Sequence, residues 1–138
     1  MPRRVVERPS GDVSYALYFM LTISTKRREP YIDAQVGGYL RQHWIHKCKE
    51  LGIHLLALGV LSDHVHFLLS LRPTHYIPDV VHDLKGSASH AVNHAEDLNA
   101  TLYWSEGYDV RTVGERNLEV AREYILAQHQ RHPDWIPK

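Results

Sequence analysis

The chain has 138 residues, 43% hydrophobic and 23% charged, the make-up of an ordinary soluble protein of one domain with a core of its own. Sixteen basic and sixteen acidic residues cancel, so net charge carries no signature of nucleic acid or an anionic surface. The single cysteine, Cys48, excludes an intramolecular disulfide and leaves a reducing, cytoplasmic setting as the expectation.

Along the chain, the polar stretch ERPSGDVS precedes the apolar run YALYFMLTI, and STKRREP follows it where a cleavage site would stand. The run is too short to cross a bilayer and is not read as a signal peptide. VSYALYFMLTIST, rich in aromatic and β-branched residues, predicts a strand. Pro30 then marks a loop, and IDAQVGGYLRQHWIHKCKELG has helical spacing in Val36, Leu40, Trp44 and Cys48, with Gly52 placed to end the helix. IHLLALGVL and HVHFLLSL predict two strands joined through Ser62 and Asp63 as a hairpin, closed by Pro73.

A second helix follows over IPDVVHDLKGSASHAVNHAEDL, starting near Pro78 and running past a weak point at Gly86. LYWSEGYDVRTV is a less regular strand region, and ERNLEVAREYILAQHQR is the last helix. No repeat or long linker divides the chain, so residues 1–138 are expected to form one domain with its folded core at about 13–132. The order β-α-β-β-α-β plus a helix predicts an α+β, ferredoxin-like split βαβ antiparallel sheet with an additional C-terminal helix. One face of that sheet is open unless something covers it.

Chemistry-bearing residues concentrate in SDHVHFLL. Strand side chains alternate, so His64 and His66 share one face about 7 Å apart while Val65, Phe67, Leu69 and Leu71 share the other. With eleven histidines in the chain, about one such pair is expected by chance, and the surroundings must decide between a metal pair and two surface imidazoles. His90 and His94 have i, i+4 spacing but no glutamate of a zinc-protease helix between them, and His129 and His132 simply suit a helix end. In the last helix Tyr124 and Gln128 lie on one face, beside a packing stripe of Leu118, Ala121 and Ile125. Lys26, Arg27 and Arg28 form the densest basic cluster, within residues 1–50, which hold nine Lys/Arg to five Asp/Glu.

Taken together, TKRREP, SDHVHFLLS, VVHDLKGSAS, LYWSEGYDVRTVG and REYILAQ resemble, in this order and spacing, the single-tyrosine transposases of the HUH nuclease superfamily, which move insertion sequences as single-stranded DNA. The resemblance covers nearly the whole chain. It implies metal ligation by His64, His66 and Gln128 with Mg²⁺ or Mn²⁺, and Tyr124 as a nucleophile that forms a 5′-phosphotyrosine. It further implies recognition of hairpin ends, and a homodimer in which one subunit's tyrosine helix can complete the other's site. Ser62, Asp109 and the ILAQ tetrapeptide depart from the usual family pattern, and Asp109 puts DNA contacts near its strand in doubt.

The residue types suit that chemistry. A phenolate can attack phosphorus and conserve the bond energy, no P-loop is present, and no nucleotide cofactor is needed. Mixed nitrogen and oxygen ligation without thiolate fits Mg²⁺ or Mn²⁺, while the residues alone leave zinc open. Lys26, Arg27, Arg28 and Lys85 are the candidate DNA-backbone contacts, and Tyr103 and Trp104 are candidates for base stacking. Two other readings stand beside this one. A domesticated repeat-associated tyrosine nuclease would share the site; a non-catalytic nucleic-acid-binding module would share only the fold and would want sheet aromatics, of which HVHFLL offers Phe67 alone, on the inward face.

Overall fold

The computed structural model describes residues 13–131, with side chains up to Gln128; residues 1–12 and 132–138, His132 among them, and the side chains of residues 129–131, that of His129 included, lie outside this description. The elements are β1 (Leu17–Ser24), α1 (Ala34–Leu51), β2 (His54–Val60), β3 (His64–Leu71), α2 (Ile77–His94), β4 (Asp109–Val113) and α3 (Leu118–Arg131), with 3₁₀ turns at Lys26–Arg28 and Glu115–Asn117. The four strands form one antiparallel sheet in the order β2-β3-β1-β4. This is the expected α+β, ferredoxin-like architecture with a C-terminal helix added.

Local chemistry explains the boundaries. Asp33 caps α1 by accepting from the Val36 amide at 2.8 Å, and Gly52 stops it in the left-handed conformation at φ 69°. Pro78 sits in the first turn of α2, where its missing N–H costs nothing. That helix runs through Gly86 without a break. The β2–β3 connection takes Leu61 as well as Ser62 and Asp63.

Helices α1 and α2 cover one face of the sheet. Val36, Leu40, Trp44 and Cys48 meet Val80, Val81, Leu84, Ala88 and Val92 over Leu21, Ile23, Val65, Phe67 and Leu69, all buried. Trp44 stands at the centre, edge-on to Phe67 with ring centroids 4.8 Å apart, and its indole N–H donates to the Leu84 carbonyl at 2.9 Å.

The opposite face is covered in part by α3, which packs over β2 and β3. A β-bulge decides what it meets. Leu55 pairs with Leu69 and Ala57 with Leu68, so Leu56 is an extra residue. Beyond it Gly59, not Leu58 or Val60, stands opposite His66 on the face toward α3. Among the described residues, no helix is long and apolar enough to cross a membrane.

Candidate active site

Register brings the site together. One row across all four strands reads Asp109, Thr22, His66, Gly59, and the next holds Ser24 beside His64. The imidazoles of His64 and His66 are edge-to-face with centroids 4.9 Å apart, at 4% and 8% exposure. Each has its Nδ1 occupied. Asp63 Oδ1 lies 2.7 Å from His64 Nδ1, and Thr22 Oγ1 lies 2.9 Å from His66 Nδ1. When Nδ1–H donates in this way, Nε2 becomes the ligating nitrogen of each ring, the arrangement found around metal-binding histidines.

Electrostatics favour neutral rings. Burial, then the neighbouring His64 and Arg28, pushes His66 down to about 4, with Asp109 opposing. For Asp63, burial acts upward, but hydrogen bonds from His64 and Arg28 outweigh it and hold the carboxylate below its usual range. Arg28 grips that carboxylate through Nε at 3.2 Å and Nη2 at 3.3 Å, with Nη2 also 3.3 Å from His64 Nδ1. Arg27 and Arg28 both adopt φ 56°, a left-handed conformation that costs an L-residue about 1–2 kcal/mol. Buried Thr25 pins this strained turn, donating to Glu29 O at 2.7 Å and lying 3.0 Å from Asp63 O.

Tyr124 lies on α3 beside the pair, its ring 5.9 Å from that of His66, and is 45% exposed. Gln128, one turn later, is 3% exposed and shares the buried side of α3 with Ile125. Its Nε2 donates to the Tyr124 carbonyl at 3.3 Å, so Oε1 is the atom of this amide able to ligate a cation. Among the described residues, no three His, Cys, Asp or Glu side chains cluster to hold a metal. Imidazole nitrogens and an amide oxygen are donor types that suit a divalent ion.

The other candidates separate. Lys26 and Arg27 are exposed at the sheet end that carries His64, since Ser24 pairs with His64. Lys85, expected on the DNA, lies in the helix layer and donates to the carbonyls of Ser105 at 2.7 Å and Gly107 at 2.9 Å. Trp104 packs on the core 6.0 Å from Trp44 and donates to the Lys85 carbonyl, whereas Tyr103 is exposed, edge-on to Tyr31. His90 and His94 stack at 4.2 Å on the exposed side of α2. Asp63, Thr22 and Thr25 were not singled out in the sequence. Asp63 could have been found, because a carboxylate adjoining a histidine pair is a ready partner for Nδ1; Thr22 becomes visible only through strand register.

Similar proteins point one way. The sequence model of the family described as "Transposase IS200 like" matches residues 13–128. A protein named ISDra2 transposase TnpA, from Deinococcus radiodurans, is 30% identical over 122 residues, covering 85% of this chain and 87% of its own length. A solved transposase structure from Deinococcus radiodurans R1 superposes with a TM-score of 0.70 at 31% identity, over 90% of this chain and 98% of that one. A REP-associated tyrosine transposase bound to a REP hairpin gives 0.66 at 16% identity, over 96% and 76%, a likeness of fold alone.

Proposed function

This chain belongs to the IS200-like transposase family, and from that premise we propose that it cuts and rejoins single-stranded DNA at hairpin-bearing ends through a covalent tyrosine intermediate. The observation that carries the reading is an exposed Tyr124 phenol 5.9 Å, ring to ring, from a buried histidine whose Nδ1 is already bonded.

Tyr124 gives its phenolic proton to solvent and attacks the scissile phosphorus; the bond to the 3′ oxygen breaks and that oxygen takes a proton from solvent, leaving a 5′-phosphotyrosine and a free 3′-hydroxyl. Attack of a 3′-hydroxyl on that linkage rejoins the strand and returns the tyrosine. His64, His66 and Gln128 would hold Mg²⁺ or Mn²⁺, which when bound would supply the charge that polarises the phosphate oxygens. Asp63 and Thr22 fix the two rings, and Arg28 keeps Asp63 in place. Lys26 and Arg27, with Arg28, offer contacts to the DNA backbone at the same end of the sheet, while Lys85 contributes through the loop it holds. In the homodimer that the resemblance implies, the surface that here receives the chain's own α3 would receive a partner's.

A covalent-adduct assay tests this on a hairpin-bearing single strand taken from the DNA flanking the gene, with Mn²⁺ present. Wild-type protein should shift to the mass of a DNA conjugate, and Tyr124→Phe should form none while binding the strand as before. An adduct that persists in Tyr124→Phe would show the nucleophile to be another residue.

A further inference from the structure

A glycine in a strand interior weakens the strand and contributes no packing, so it calls for a reason. Gly59 has no backbone reason, since the positive-φ glycines are Gly52 and Gly107. Its reason is proximity. A Cβ built at Gly59 would stand 2.8 Å from Ile125 Cγ2, 3.5 Å from the Ile125 carbonyl oxygen and 4.0 Å from His66 Cβ. Carbon atoms rest about 3.5–4.0 Å apart, so the first contact is short by roughly 1 Å.

The helix cannot absorb that locally. Cγ2 is attached to Cβ, not at the end of a flexible chain, and β-branched residues in helices are held to one χ1. Ile125 is 1% exposed and follows Tyr124 directly. Relief must come from lifting α3 off β2, and the tyrosine goes with it.

We propose that Gly59 is a positioning residue for DNA cleavage: its missing side chain lets α3 lie close enough to the sheet to set Tyr124 against His66. The inference rests on the reading of Tyr124 as nucleophile, but the seat itself is geometric. It would be the same surface for a helix from a second copy of the chain.

The test compares wild type, Gly59→Ala, Ile125→Leu and the double variant. Leucine preserves volume but has no methyl on Cβ, so it removes the atom that a new Cβ would strike. A misplacement of about 1 Å can cost roughly a hundredfold in rate, and Gly59→Ala should lower single-turnover adduct formation by about that factor. The double variant should return to within about threefold of Ile125→Leu alone, because the two changes meet at one contact. Affinity for the hairpin strand should hold throughout; affinity for Mn²⁺ should fall in Gly59→Ala and return in the double variant, because Gln128 rides on the same helix, and assays are run at a temperature where circular dichroism shows every variant folded.

Crystal structures of the same proteins give a reading independent of cleavage. The Tyr124–His66 ring separation should open in Gly59→Ala and close again in the double variant. Wild-type rate in Gly59→Ala, or a loss that Ile125→Leu does not reverse, overturns the proposal. If wild type forms no adduct, the nucleophile reading fails, and the ring separations still decide the seat.

Discussion

The two faces of the sheet are built from the same strands by opposite rules. On β3, Val65, Phe67 and Leu69 enter an apolar core shared with two helices. One residue out of phase, His64 and His66 face a side that α3 covers only in part, and there the Nδ1 of each ring is tied to a particular partner. The first face needs volume and tolerates exchange of like for like. The second needs named atoms, and volume alone does not replace them. Stability and reactivity are thus separated by the alternation of a single strand.

That contrast can be broken most severely at adjacent residues. Phe67→Ala should cost about 3–5 kcal/mol by opening a cavity against Trp44, read as a lower midpoint in urea. His66→Ala should shift that midpoint far less, yet abolish metal-dependent adduct formation. Equal destabilisation by the two would refute the division of labour.

A milder cut is Thr22→Val, which keeps the shape and removes the bond to His66 Nδ1. Loss of such a supporting partner weakens metal affinity about 10–100-fold. Titration with Mn²⁺ should show that drop while DNA binding holds.

Acid gives a third probe, on metal-free protein. Burial lowers His66 to about 4 in the fold, while the unfolded chain binds that proton near 6.5. Between these values the unfolded state holds more protons, so the contribution is full above pH 6.5 and fades as pH falls toward 4. Urea melts across that window should decline more steeply in wild type than in His66→Gln.

The smallest effect is on the helix-covered side. At Gly86 a Cβ would meet nothing within 4 Å, so Gly86→Ala should raise stability by about 0.5–1 kcal/mol in thermal melts. The same substitution at Gly59 is the expected injury.

Much of this was legible beforehand, for physical reasons. The stripe Val36, Leu40, Trp44, Cys48 and the alternation of β3 are local periodicities, and both faces came out as read. The proximity of Tyr124 to the histidines was suggested by family resemblance, because no spacing of 58 residues encodes it. Thr22 was hidden since its role depends on which residue of β3 it lies beside. In sequence Lys85 offers a charge for phosphate; in the fold, loop 105–107 comes back to give its ammonium two carbonyls. A basic side chain advertises charge; only tertiary structure says what it holds.

The additional residue at Leu56 reaches further than its size suggests. Counting simply by twos from Leu55 would send Gly59 toward α1 and α2 and put Leu58 and Val60 under α3. By inserting a half-step, β2 can be greasy toward one layer early and late while still offering a bare notch to the other. Where α3 rests is therefore set by a phase change four residues before the end of β2.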